Sequence, residues 1–397
     1  MTERLYYTDA YLTDFTATVV ATDGVRVHLD RSAFYPTSGG QPHDAGELGG
    51  ARVVDVVDEG DRVAHVLAVP LAFAPGAAVS GRVDWARRFD HMQQHTGQHL
   101  LSALFEELFG HQTVSVHFGD RYSTLDLSTE ALSREHAARV ERAANGMVLE
   151  NRAVTVAFED AASAAGLRKG AERAGRIRVV TIDGVDRSAC GGTHVRVTAE
   201  IGPVVIRRIE RYKQFSRVEF LCGWRALARA RADFDALSAI AATMTAAIDE
   251  LPALISAQSA DLRAADAERR KLTAELARHR ARERYDAAGA GADGVRRLVE
   301  RGATMDELRA LAQALTALPR VLFAGVAAGP PPALLFAASA DSGVNAGAAL
   351  KAALAAHGGR GGGSPHVAQG SVADPVALEA VIQVLMRESG SVESSAP

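Results

Sequence analysis

Cysteine is scarce in this chain: 397 residues contain only Cys190 and Cys222. Two cysteines cannot build a disulfide framework, so each is free for another role. No apolar run is long enough to cross a bilayer. The N-terminal stretch Met1 to Asp14 carries charge and lacks the apolar block of a secretion signal. The expectation is a cytoplasmic protein with no membrane partner. Positive charge is not in excess either: 44 Lys and Arg stand against 48 Asp and Glu, for a net charge of -4. A global basic field that would attract nucleic acid is therefore missing, and any such contact must come from local patches. What is present is ordinary for a globular protein, 47% hydrophobic and 23% charged residues. The length calls for two to four domains.

Residues 1–88 read as short strands. Ala17 to Thr22 and Val25 to Leu29 flank the Asp23-Gly24 turn signal. Further strands are expected near Val53-Val54 and Val63 to Val69, which together suit a small β-barrel. The pattern becomes helical from His91 to Phe109, with Leu101, Leu104, Phe105 and Leu108 on one face and Gly110 as the stop. Strands at Thr113 to Phe118, Tyr122 to Leu127 and Arg178 to Ile182, a helix over 129–152, and paired strands over 201–222 make 89–222 an α+β domain. Residues 223–290 read as a helical linker or hairpin broken near Pro252. Helices near Met305 to Leu315 and Gly347 to Ala356, with strands at Arg320 to Ala324 and Ala333 to Ala337, make 291–397 a compact α/β domain. Ser389 to Pro397 is expected to be a disordered tail. The fold class is thus multidomain α+β: barrel, α+β metal-binding domain, helical linker, C-terminal α/β domain.

Two short motifs carry chemistry. His95 and His99 are four residues apart, which stacks them one turn above each other on a helix, where both imidazoles reach one ion. In Cys190-Gly191-Gly192-Thr193-His194 the glycines let the backbone turn so that thiolate and imidazole converge. Taken singly, the first pair also reads as surface histidines and the second as a buried free cysteine beside an unrelated histidine. Taken together, three nitrogens and one sulfur suit zinc. His91 and His111 show no such pairing. A zinc peptidase would carry glutamate after the first histidine as general base. Thr96 stands there instead, which argues against peptide hydrolysis.

At these residues a family becomes recognisable. His95-Thr96-Gly97-Gln98-His99-Leu100-Leu101 followed by Cys190-Gly191-Gly192-Thr193-His194 resembles the editing domain of alanyl-tRNA synthetases and the related free-standing editing proteins, the AlaX family. Phe34-Tyr35-Pro36-Thr37-Ser38-Gly39-Gly40-Gln41-Pro42 resembles the family's glycine-rich barrel loop. Arg208-Ile209-Glu210-Arg211 and Arg217-Val218-Glu219-Phe220 resemble its closing strands. Gly358 to Gly363 with Ala368-Gln369-Gly370 resembles the C-terminal (DHHA1-like) domain shared with DHH-type phosphoesterases. A phosphoesterase's own Asp-His-His motif is missing. The glycine run is not a P-loop, because no Gly-Lys-Ser/Thr follows. An aminoacylation half would need several hundred residues before the barrel, so the long free-standing form, without ATP, is expected.

The resemblance implies a zinc-dependent hydrolase that removes serine or glycine from mischarged alanine tRNA. Its metal ligands would be His95, His99, Cys190 and His194. Thr96 is the candidate contact for a serine hydroxyl, the alternative being a helix residue that caps or packs locally. Where the synthetases have a glutamine after a Val-Ser pair, Val114-Ser115 are followed here by Val116 and His117. His117 is a candidate proton shuttle, or else a strand residue facing solvent. Arg168, Lys169, Arg173, Arg176 and Arg178 form a basic stretch suited to tRNA phosphates, or an ordinary solvated face. Arg207, Arg208, Arg211 and Lys213 form another. Arg360, within its glycine loop, is a further phosphate candidate. The family's C-terminal domain is implicated in tRNA binding and association, which makes a homodimer a candidate state. Cys222 reads as structural. Two other classes stay open: a non-catalytic tRNA-binding module with structural zinc, and a general metallo-esterase.

Overall fold

The computed structural model describes residues 1–170, 175–327, 333–372 and 374–387. Arg173 and the tail from Ser389 lie outside them. Packing divides the chain into two compact units, Met1–Thr243 and Met244–Pro397.

In the first unit, Asp14–Asp23, Arg26–Leu29, Val63–Leu67, Ala51–Asp58, Gly46–Leu48 and Ala78–Val83 follow one another around a closed barrel. Alternation makes its core: Phe15, Ala17 and Val19 point inward between exposed Asp14, Thr16 and Thr18. The strand Ala78–Val83 closes the barrel, pairing Gly81 with Phe15. A Cβ on Gly81 would run into the Phe15 ring, so only glycine fits. This strand and Gly46–Leu48 lie beyond the sequence expectation, because short glycine-interrupted stretches show little alternation.

Helix α1 (Trp85–Phe109) starts at Trp85 rather than His91, because Asp84 caps it by accepting from the Arg87 amide at 3.2 Å. Gly110 ends it in the left-handed conformation, φ 68°. Most residues from His91 to Phe105 are buried, polar ones included. The barrel is clamped to α1 by Arg88, which is fully buried. Its guanidinium pairs with Asp44 and donates to the carbonyls of Ala33 and Ala10, both at 2.6 Å. Two antiparallel sheets flank the helix. One has the order Val204–Tyr212, Phe215–Cys222, Ser123–Leu127, Thr113–Phe118; the other Val154–Asp160, Arg176–Ile182, Asp186–Ala189. Leu100, Leu104 and Phe105 pack with Leu125, Val218, Phe220 and, from helix α2 (Arg134–Leu149), Val140. Helix α3 (Gly223–Met244) follows.

The second unit opens with helix α4 (Leu251–Ala287), and Pro252 sits in its first turn, where a missing N–H costs nothing. A five-stranded sheet follows in the order Arg296–Ala303, Val321–Ala327, Ala333–Ala338, Val367–Ser371, Arg360–Gly363. Helices α5 (Met305–Thr316), α6 (Ala346–Ala356) and α7 (Pro375–Leu385) belong to the same unit. The glycine run expected to form a loop around Arg360 is an edge strand instead. A Cβ on Gly361 would collide with the Gln369 carbonyl and a Leu354 methyl, so glycine there permits close strand and helix approach. No single helix among the described residues is long and apolar enough to cross a membrane.

Candidate metal centre

Helix α1 presents His95 and His99 on one face, and the turn after Asp186–Ala189 brings Cys190 and His194 to them. One ligand atom from each of the four lies within 4.8 Å of every other. The Cys190 sulfur is 3.5 Å from His95 Nε2 and 3.3 Å from His194 Nε2. The helical pair and the turn pair, far apart in sequence, are brought together.

Each imidazole is held by its outer nitrogen. His95 Nδ1 meets Gln41 Oε1 at 2.7 Å, His99 Nδ1 meets Asp186 Oδ2 at 2.7 Å, and His194 Nδ1 meets Thr96 Oγ1 at 3.1 Å. The chemistry of the partners sets the direction. Gln41 Oε1 also accepts from the Thr193 amide at 3.1 Å, and its Nε2 donates to Thr193 Oγ1 at 2.8 Å. Asp186 can only accept. The single proton of Thr96 goes to the Met92 carbonyl at 2.8 Å. All three Nδ1 atoms are therefore donors, and all three Nε2 atoms turn toward the sulfur.

Burial and mutual charge set the protonation of the metal-free cluster. Burial disfavours a Cys190 thiolate, but the charges of His95 and His194 and their hydrogen bonds hold the thiol well below its usual range. Burial, then the neighbouring His95, press His194 down to about 3. Burial also opposes charge on His99, yet its hydrogen bond to the Asp186 carboxylate and the nearby Cys190 lift it to about 9. The donor set, three imidazoles and one thiolate with oriented outer nitrogens, fits zinc. Backbone shape completes it. A Cβ on Gly192 would run into the His95 ring, and buried Arg178 donates to the Cys190 and Gly192 carbonyls, both at 2.8 Å. The Phe118 ring lies 5.0 Å from His95 and shields it.

An alanyl-tRNA editing protein AlaX-M from Methanosarcina mazei is 37% identical over 236 residues, 53% of this chain and 92% of that protein. This chain belongs to the alanyl-tRNA editing family. The family model described as the threonyl and alanyl tRNA synthetase second additional domain matches residues 177–219, which contain Cys190 and His194. The DHHA1 domain matches 292–388. Alanine–tRNA ligase of Pyrococcus abyssi is 32% identical over 415 residues, 97% of this chain and 44% of the ligase. Mouse alanyl-tRNA editing protein Aarsd1 is 36% identical over 242 residues, 55% of this chain and 58% of Aarsd1. The chain thus spans about half the length of these two relatives.

Several residues singled out from the sequence stand elsewhere. His117 is exposed on the strand Thr113–Phe118, on the side opposite Phe118, and lines an outer groove of about 350 Å³ with Tyr122, Arg208 and Arg217. Strand alternation sends it away from the cluster. Arg168 does not face solvent as a free phosphate ligand. It donates to Asp186 Oδ1 at 2.6 Å and so braces the carboxylate behind His99. Arg178 of the same stretch is buried under Cys190. Lys169, Arg176 and Arg360 are exposed. In the second basic stretch, Arg207, Arg208 and Arg211 pair with Glu219, Glu210 and Glu130. The Thr96 hydroxyl is engaged on three sides, by Met92, His194 and the Val195 amide. Gln41 and Asp186 were not singled out by sequence reasoning. Gln41 had one visible signal, its place in the glycine-rich loop; Asp186, on a short strand, had none.

Proposed function

We propose that this protein is a zinc-dependent hydrolase that clears serine or glycine from mischarged alanine tRNA. The observation that carries this reading is the buried cluster of His95, His99, Cys190 and His194, with all three imidazoles oriented from behind. Zinc held by these four residues would supply Lewis acidity that polarises an ester carbonyl. An aminoacyl ester is activated relative to a peptide, so no strong general base is needed, in keeping with Thr96 where a peptidase has glutamate. Gln41 and Asp186 fix the tautomers of His95 and His99, and Thr96 fixes that of His194. We assign Thr96 to this orienting role, since its one proton is spent on Met92. Phe118 keeps water from one side of His95. His117 stays a candidate only for contacts with RNA along the outer groove.

The barrel (1–88) and the editing domain (89–222) together build the site. The helical linker (223–290) and the C-terminal domain (291–397) are assigned to tRNA binding and association, homodimerisation included. Exposed Lys169, Arg176 and Arg360 are the phosphate contacts expected from the basic positions described. The relatives' names support the tRNA reading, because they are called alanyl-tRNA editing proteins.

The test is release of amino acid from serine-charged, glycine-charged and alanine-charged alanine tRNA, with and without chelator. Metal-dependent release of serine or glycine is expected, with alanine retained. Release from none of the three overturns the reading. A His95→Ala, His99→Ala double variant is expected to lose both zinc and turnover. The four-ligand count also favours a second reading, a closed structural zinc site in a tRNA-binding module. That reading predicts zinc content and tRNA binding without turnover.

A further inference from the structure

One buried side chain beside the cluster has no task in the account above. His91 lies on α1 one turn before His95, about 6 Å along the axis. It is 2% exposed, and neither ring nitrogen has a hydrogen-bond partner. Buried polar atoms are nearly always paired, so an imidazole with both nitrogens open points to a missing ligand.

Its neighbours indicate which kind. Arg87, Arg225, Asp120 and His43 all lie close enough to act on it electrostatically. Arg225 is neutralised by Asp90 at 2.6 Å, and His43 faces Asp55 at 3.2 Å. Asp120 is exposed, so water screens its charge. Arg87 is half-buried and spends only its Nε, on the His43 carbonyl at 3.0 Å. No carboxylate pairs with it among the described residues. An imidazole N–H beside an uncompensated guanidinium is a donor pair for a phosphate oxygen.

We propose that His91 and Arg87 bind the last phosphodiester of the charged RNA, the one on the 5′ side of the terminal nucleotide, while the ester on that nucleotide's ribose reaches the His95–His99–Cys190–His194 cluster. This rests on the deacylase reading above. One ribose separates the two groups on the substrate, and one helical turn separates the two sites on the protein.

The experiment compares serine-charged alanine tRNA with the same tRNA whose last phosphodiester is a neutral methylphosphonate. Wild type is expected to lose about tenfold in kcat/KM on the neutral substrate, chiefly through KM. His91→Leu and Arg87→Met are each expected to treat the two substrates alike. Zinc content and thermal midpoint of His91→Leu are expected to stay at the wild-type level, which a merely structural role would not allow. Equal rates for wild type on both substrates overturn the proposal, as does a phosphate preference kept in both variants. No release from the natural substrate overturns the deacylase reading itself. The wild-type comparison stands even if one variant fails to fold.

Discussion

Gln41 gives the sharpest test of how the site is built, because it belongs to the barrel yet holds a ligand on α1. Its amide serves three partners: His95 Nδ1 at 2.7 Å, the Thr193 amide at 3.1 Å and Thr193 Oγ1 at 2.8 Å. Gln41→Leu keeps the bulk and removes all three bonds. Two buried N–H groups lose their acceptor at roughly 1–3 kcal/mol each, so the metal-free protein is expected to lose about 2–6 kcal/mol. His95 also loses its orienting partner, and such losses lower metal affinity by roughly 10- to 100-fold, about 1.4–2.7 kcal/mol. Urea denaturation of chelated protein measures the first effect. Competition for zinc against a chromophoric chelator measures the second. Gln41→Glu retains the acceptor oxygen and is expected to recover most of the affinity. The reasoning fails if Gln41→Leu binds zinc like wild type, or if the glutamate variant is as weak as the leucine one.

Asp186→Asn is expected to lower zinc affinity about tenfold or more, because the amide can donate to His99 Nδ1 and turn a protonated Nε2 into the cluster; unchanged affinity in the same competition assay would remove Asp186 from the site. Gly97→Ala is expected to destabilise the fold by about 1–3 kcal/mol, since the added methyl overlaps the buried Cys222 sulfur. Cys222→Ala in the same chain should restore much of that in urea denaturation, and no restoration would refute the steric account. His65 is buried in the barrel and held down to about 4 by burial, its nitrogens meeting Ser32 Oγ at 2.7 Å and the Val27 carbonyl at 3.0 Å. The unfolded chain takes the proton near pH 6.5 and the folded one only near 4. The His65 contribution is therefore full above about pH 6.5 and falls as pH drops toward 4, by about 3 kcal/mol. His65→Gln cannot ionise, so the difference between its pH profile and wild type should show this slope; parallel profiles would contradict it.

The four candidate ligands were legible because their signal is local. A four-residue spacing on a helix and a cysteine–histidine turn each express themselves within five residues, and Gly110 marks the end of α1 in the same way. Barrel alternation is local too, so its longer strands stood out while Gly46–Leu48, too short to alternate, did not. The residues behind the ligands left no such trace. Gln41 meets His95 across 54 positions, Asp186 meets His99 across 87, and Thr96 meets His194 across 98. Nothing in the chain between them encodes that meeting at short range.

Sequence also listed charges and hydroxyls without assigning them a side. Strand register decided that Phe118 covers His95 and that His117 faces outward, since neighbouring residues of a strand point to opposite faces. Packing decided that Arg168 braces Asp186 and that Arg178 lies under Cys190, although both sit in one basic run with exposed Arg176. Residue type and short-range spacing therefore chose the candidate ligands of this cluster. The long-range pairing of barrel loop, helix and sheets chose what orients them, because only a folded chain brings a carboxylate or an amide to within hydrogen-bonding distance of an imidazole encoded far away.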